Sequence, residues 1–168
     1  EITMVLAPDA MAAYKAGVLD LAGLTADQLA IIAHCERMGD RVAILDTPPD
    51  LNAQQAQDWR MNVAGYDSKY ASLYYPWINV ADPTPNAPAT TISIPPAGHI
   101  AGVWARSDNE RGVHKAPANE VIRGVISLPI NLTNSEQSVL NPNGVNCLRV
   151  FAGRGIRIWG ARTLSSDP

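Results

Sequence analysis

Charge is scarce in this chain: 17% of its 168 residues are Asp, Glu, Lys or Arg, and the balance is only −3. That leaves no basic footprint for nucleic acid and no polybasic patch for a membrane surface. No apolar run approaches the roughly 18 residues needed to span a bilayer. A charged start followed by an apolar core and a small-residue cleavage site is also missing. Cysteine is rare. Cys35 and Cys147 stand far apart, without the spacing to a second cysteine or a histidine that a zinc site needs. They are expected as small buried hydrophobes in a reducing compartment, with a disulfide as the lesser alternative.

What is present points to a packed core. At 46% hydrophobic, 168 residues make one domain or slightly more, able to bury about 70% of the unfolded surface. Thirteen prolines and twelve glycines are spread along the chain, which implies many shaped loops and no disordered tract. The chain starts at Glu1, not at Met, and stops at Ser165-Ser166-Asp167-Pro168 directly after a strand, so an internal piece of a longer protein is expected.

Ile2 to Leu6 reads as a buried strand, and Met11 to Leu21 as a helix weakened by Gly17. Thr25 to Met38 is predicted as a helix, with a Thr25/Gln28 capping box, a Leu24/Leu29 staple, a face of Leu29, Ile32, Ala33 and Cys35, and Gly39 as its stop. Val42 to Leu45 is a continuous apolar run between charged residues, the pattern of a central strand covered on both faces. After the Pro48-Pro49-Asp50 turn, Asn52 caps a helix to about Val63 with Ala56, Trp59 and Val63 on one face. Tyr70 to Tyr75 is rich in β-formers. Strand, helix, strand, helix, strand with short links predicts an α/β fold whose sheet has a parallel centre.

Ile78 to Val80 ends as a strand before a proline loop, Ala81 to Pro88, and Thr90 to Ile94 resumes extended structure. Glu120 to Ile130 is expected to hold a short buried stretch around Gly124, and Asn134 to Leu140 a helix. Asn141 to Gly144 makes a turn. Asn146 to Phe151 and Ile156 to Thr163, linked by Ala152-Gly153-Arg154-Gly155, predict an antiparallel hairpin. The full expectation is a mixed sheet with a parallel centre, a C-terminal antiparallel hairpin and helices on the faces. Trp159 is expected to anchor that sheet to the helices. Arg149, Arg157 and Arg162 form a ladder suited to a neighbour's carboxylates. Gly153-Arg154-Gly155 reads as a hairpin turn before an anion nest.

Two constellations carry candidate chemistry. Asp9 and Asp46 close the first two strands, with Asp50 nearby, and three carboxylates beyond strand ends could hold Mg²⁺ for phosphoryl chemistry in an α/β enzyme. Neither strand is followed by a glycine-rich phosphate loop, and an aspartate before proline is more often a turn-maker. The second constellation is the stretch from Ile94 to Gly124. Pro95 and Pro96 open a helix, and Ile100, Val103 and Trp104 share its apolar face with small Ala101, Gly102 and Ala105 beside them. Arg106, Asp108, Glu110, Arg111, His114 and Lys115 follow within ten positions. Asp108, His114 and Lys115 could act as proton acceptor, relay and anion clamp, but an ion-pair network, a solvated face or a subunit contact is the commoner meaning of such a cluster.

Two blocks resemble one family. The first holds Pro95, Pro96, Gly98, Ala101, Gly102, Ala105, Arg106, Asp108, Arg111, Gly112, Val113, Lys115, Ala116, Pro117 and Asn119. The second holds Leu140, Asn141, Gly144, Asn146, Arg149, Gly153, Gly155, Trp159, Gly160, Ala161, Arg162 and Thr163, and Tyr75-Pro76-Trp77 is similar to the strand before the first block. Together they resemble the tail sheath proteins of contractile phages and related contractile injection systems. The resemblance implies a structural subunit with no cofactor and no catalysis. It would polymerise with itself as stacked six-membered rings around an inner tube protein, meet baseplate and terminator proteins, and contract to drive the tube through a target envelope. It also implies a place in a virion tail or tail-like particle assembled in the bacterial cytoplasm, with no nucleic acid bound and no direct membrane insertion. In that family extended arms at both chain ends link the rings; neither arm is found between Glu1 and Pro168. Arg106, Asp108, Arg111 and Lys115 are the candidate interface residues.

Overall fold

The carboxyl end of the second strand organises the architecture seen in the computed structural model, which describes residues 2–84, 86 and 88–167. Pro85 and Ala87 of the expected proline loop, and the terminal residues Glu1 and Pro168, lie outside the described residues. In chain order the elements are β1 (Met4–Val5), α1 (Pro8–Lys15), α2 (Leu21–Met38), β2 (Val42–Asp46), α3 (Ala53–Trp59), β3 (Ala71–Tyr75), β4 (Ile78–Ala81), β5 (Thr91–Ile94), α4 (Ala97–Arg111), β6 (Val125–Ser127), α5 (Asn134–Leu140), β7 (Val145–Phe151) and β8 (Gly155–Trp159).

The main sheet has the order β1-β2-β3-β7-β8. Its first four strands are parallel and β8 returns antiparallel to β7, so the predicted mixed sheet with a parallel centre and a terminal hairpin is what forms. Alternation along the strands divides the core into two layers. Ala43 and Leu45 of β2, Leu73 and Tyr75 of β3, and Cys147 of β7 pack beneath α2, α3 and α5. Ile44, Tyr74, Leu148 and Ile158 point the other way and pack against Ile100 and Val103 of α4. The central strands are therefore largely apolar, as helices on both faces require, and the buried polar residues Ser72 of β3 and Asn146 of β7 both donate to Arg162 O. Both cysteines are buried and free.

A second sheet, β5-β4-β6, is antiparallel and was not expected. It gives Ile78 to Val80 partners on both sides, Thr91–Ile94 and Val125–Ser127. The stretch around Gly124 is accordingly half-exposed: Ile122 and Leu128 are buried, while Ile126 faces solvent.

Three local expectations are corrected. Helix α2 begins four residues before Thr25, because Asp20 accepts from Gly23 N–H at 2.7 Å and caps it. Thr25 then lies inside the helix, donating to Leu21 O, and the buried stripe is Leu24, Gln28, Ile32 and Cys35, with Leu29 exposed. Asn52 does cap α3, in a full capping box with Gln55. The helix then widens into a π turn over Arg60–Ala64, and this change of pitch buries Arg60 and Ala64 and leaves Val63 exposed. Trp159 sits on the edge strand β8. Its ring packs on Phe151, 4.5 Å between centroids, without reaching into either core layer.

Asp46 and Thr47 collect the layers. The Asp46 carbonyl accepts from Gln28 of α2 at 2.8 Å, and Gln28 in turn accepts from Tyr66 OH at 2.7 Å. The Asp46 carboxyl Oδ1 accepts from Ala97 N–H, in the first turn of α4, at 2.8 Å, and Thr47 O accepts from the Trp77 indole at 2.9 Å. Burial pushes the Asp46 carboxyl up to about 8, against the opposing pull of the Ala97 hydrogen bond. With the folded pKa above the unfolded one, the neutral acid's contribution to stability is complete below about pH 4. It is lost as pH rises through about 8. This group alone should lower stability between these limits by on the order of 5 kcal/mol. Asp46→Asn keeps an acceptor for Ala97 and should flatten that fall in urea titrations; a parallel slope in wild type and variant would show that Asp46 is ionised throughout.

Candidate functional site

The predicted charge cluster forms on the last turns of α4 and the loop that follows. Helix α4 starts on Pro96 and ends where Gly112, with φ of 90°, donates its N–H to Asp108 O. Its apolar face, Ala97, Ile100 and Val103, locks onto the main sheet, and Trp104 Nε1 donates to Tyr74 OH at 3.0 Å. The helix is thereby held in rotation, which fixes where each charge points.

Among the four candidate residues, the structure separates two pairs. Arg106 and Lys115 turn inward to Glu120. Lys115 Nζ lies 2.7 Å from Glu120 Oε1, and also donates to Ala116 O and Ala118 O. Arg106 Nη2 donates to Val121 O at 2.6 Å and lies 4.0 Å from Glu120 Oε2. Asp108 and Arg111 are exposed, and among the described residues neither side chain has an ion pair. Glu120 is the hub that sequence reasoning passed over. Its only sequence signal is its place between two basic residues and the apolar Val121-Ile122, where an acid must find a partner.

The Glu120 strap matters for the sheet edge. Residues 119–122 run alongside β8: Asn119 N–H donates to Ile158 O, Ile158 N–H to Glu120 O, and Ile122 N–H to Ile156 O. The outer edge of β8 is thus covered by the chain itself over Ile156 to Ile158, which blunts it against stray strand pairing. The arginines of the hairpin are likewise engaged within the chain. Arg149 and Arg157 oppose each other across β7 and β8, Arg149 donating to Gln137 Oε1 at 2.7 Å and Arg157 to Asn119 O at 2.7 Å. Arg162 is exposed. Gly153-Arg154-Gly155 is a hairpin turn, with Arg154 N–H on Phe151 O at 2.9 Å and both glycines at positive φ.

The metal reading fails on geometry. Asp9 is an exposed first-turn residue of α1 and Asp50 a solvent-facing turn residue at φ of 60°, while Asp46 spends its carboxyl on Ala97. Among the described residues no group of three or more His, Cys, Asp or Glu is placed to hold a metal ion. His114 is exposed and neither it nor Asp108 shares a hydrogen bond with Lys115, so the acid/base reading of that trio has no relay.

Lys115 first, and then Arg106, hold the Glu120 carboxyl below its usual range. That contribution is present above about pH 4.5 and disappears as pH falls through the lowered folded value. Glu120→Gln should therefore lower stability by ~0.5–1 kcal/mol at pH 7, with the partial exposure of the pair already discounted. The difference from wild type should narrow in denaturant titrations as the pH is taken from 7 to well below 4.5. An equal gap at both pH values would mean that the pair contributes nothing through charge.

Residues 4–164 match the family model of the phage tail sheath protein central domain. A major tail sheath protein from a Pseudomonas aeruginosa prophage is 30% identical over 130 residues, covering 75% of this chain and 32% of that protein. The helical sheath of the anti-feeding prophage in its contracted state superposes with a TM-score of 0.68 at 33% identity, covering 88% of this chain and 38% of that one. A chain of the six-fold symmetrised baseplate of the same particle superposes at 0.67 with 34% identity, over 85% of this chain and 35% of that one. The chain thus spans about a third of the length of the relatives it matches. The match runs through both sheets and every helix described above, and the chain belongs to the phage tail sheath family, in its central domain.

Proposed function

We propose that this chain is the central domain of a contractile sheath subunit that polymerises with copies of itself as stacked six-membered rings around an inner tube. The subunit works in a phage tail or tail-like particle, meets baseplate and terminator proteins at the ends of the array, and is made and assembled in the bacterial cytoplasm. Contraction to a shorter, wider array drives the tube through a target envelope, without catalysis. The observation that carries this reading is the match of residues 4–164 to the sheath central domain, with superposition onto a sheath in the contracted state as support. A mechanical subunit of this kind stores energy in alternative packings between rigid bodies, which needs a stiff core and bistable surfaces.

We assign the α4 cluster to a contact between subunits. Arg106 and Lys115 brace the loop through Glu120, and Asp108 with Arg111 reach the neighbour. The longer arms that link rings belong to the parts of the polypeptide outside this domain, so residues 1–168 alone should behave as a monomer or weak oligomer. Negative-stain microscopy of the full-length polypeptide expressed alone should show long striated hollow tubes, with assembly weakening as salt rises. Light scattering on residues 1–168 should give a monomer. Dispersed particles from the full-length protein, or stable rings from the isolated domain, would refute the reading.

A further inference from the structure

Positive charge in this chain collects at one end of the main sheet. From Val145 to Leu164 there are four arginines, Arg149, Arg154, Arg157 and Arg162, and no Asp or Glu; subtracting their +4 from the total of −3 leaves −7 on the rest of the chain. The arginines share one patch. The guanidinium groups of Arg149 and Arg154 lie 5.4 and 5.9 Å from the centre of the Phe151 ring, which packs on Trp159. Asn119, Trp159 and Arg162 line an adjoining groove of about 480 Å³. Every hydrogen bond from these guanidinium groups goes to a neutral acceptor, on Gln137, Asn119 or the Arg154 carbonyl. Arg149 Nε is buried and, among the described residues, has no hydrogen-bond partner. Arg162 is exposed, and its side chain makes no hydrogen bond or ion pair among the described residues. None of the four has a carboxylate within ion-pair distance among those residues. Neutral acceptors satisfy the N–H groups and leave the charge without a counter-charge.

The opposite end of the same sheet carries acid. The strand order puts β1 at the far edge from β8, and α1 and α2 follow β1 in the chain, α2 packing Ile32 and Cys35 with Ala43 and Leu45 of β2. Asp9, Asp20 and Asp27 are exposed there. Asp27 lines a small cavity with Ala7 and Ala10, beside the first turn of α1 that carries Asp9. Asp9 and Asp27 make no hydrogen bond or ion pair among the described residues. Lys15 is engaged elsewhere, 5.2 Å from the centre of the Trp77 ring. Each edge also offers apolar area, half-exposed Phe151 and Trp159 at one and Val18, 82% exposed, at the other. Four strand spacings separate the edges, about 19 Å, which is more than two Debye lengths of ~8 Å. The two charges therefore cannot neutralise each other within one copy.

We propose that the arginine and aromatic face of β7 and β8 docks on the acidic α1–α2 edge of a second copy of the chain. The proposal rests on the sheath reading, in which subunits bind one another, and adds a contact separate from the α4 cluster. Residues 119–122 already cover the backbone of β8, so side chains make this contact and no strand is added. Unlike surfaces meet, which makes the contact head-to-tail. Repeated contacts of that kind generate rings when the rotation closes and helical arrays when it does not.

The test is a charge swap in the full-length polypeptide. Arg154→Glu with Arg162→Glu reverses the basic edge, and Asp9→Lys with Asp27→Lys reverses the acidic one. The only hydrogen bond removed is that from Arg154 to Asn119, at 3.3 Å, so unassembled variants should melt close to wild type. Each reversal alone should raise the concentration needed for tube formation at least about tenfold. Combining them brings opposite charges together again and should return the threshold to within about threefold of wild type. The neutral variants Arg162→Gln and Asp27→Asn keep every side-chain hydrogen bond and should each raise the threshold in the same direction, which checks the contact even where a reversal unfolds the chain. Reversed edges that assemble at the wild-type threshold, or a combined variant no better than the two defects multiplied, would overturn the edge contact while leaving the sheath reading intact. Rescue of the reversed basic edge by Asp108→Lys with Glu110→Lys would overturn it too, by placing the acid on α4. Wild-type protein that forms no tubes would overturn both readings.

Discussion

A buried carboxylic acid holds the domain together at one point, the carboxyl end of β2. Through its side chain Asp46 receives the first free N–H of α4, and through its carbonyl it receives Gln28 of α2. One residue on, Thr47 receives the Trp77 indole and so fixes the passage from the main sheet to the second sheet. The helix layers on opposite faces of the sheet therefore share an attachment within two residues. A carboxyl group in that position is tolerable because it is neutral over much of the physiological range and has a backbone donor aimed at it. It works as a capping residue supplied from 51 positions away in sequence.

From that attachment follows the division between a stiff interior and a surface that carries the chemistry of contact. The main sheet packs an apolar cluster on each face, and α4 is held by Tyr74 as well as by Asp46, so rotation of the helix is closed off. Its last turn must then present Asp108 and Arg111 outward and Arg106 inward. The strap of residues 119–122 seals the edge of β8 with backbone hydrogen bonds, and Glu120 ties that strap back to the helix. Cysteine chemistry has no part in this, since burial pushes the Cys147 thiol up to about 12 and raises that of Cys35. Under the function proposed above, a body of this kind would transmit force without deforming, and contacts between bodies would supply the two states.

Much of this was legible in the residues. The parallel centre showed in the unbroken apolar run of Val42 to Leu45 and the β-formers of Tyr70 to Tyr75, with short helical links between. The hairpin showed in its glycine link, and the α4 face in the spacing of Ile100 and Val103. What escaped was set by distant partners. Gln28 looked like half of a capping box because its use by Asp46 and Tyr66 is invisible along the chain. Val63 looked buried because a 3.6-residue period was assumed through a π turn. Asp46 looked like a metal ligand or turn-maker because the helix it caps starts 51 positions further along the chain. Glu120 escaped because neither of its basic partners is spaced as a helical pair with it. Arg60 escaped because nothing local marks a charge that the turn will bury.

The central claim, a rigid domain whose surroundings switch, is tested most directly by determining cryo-EM structures of the full-length assembly in extended and contracted arrays. The account predicts that the main sheet, α4 and the Asp46–Ala97 hydrogen bond superpose as one body in the two arrays, while the neighbours of Asp108 and Arg111 change. Refolding of the sheet, or loss of the Asp46–Ala97 bond in one array with unchanged surface contacts, would contradict it.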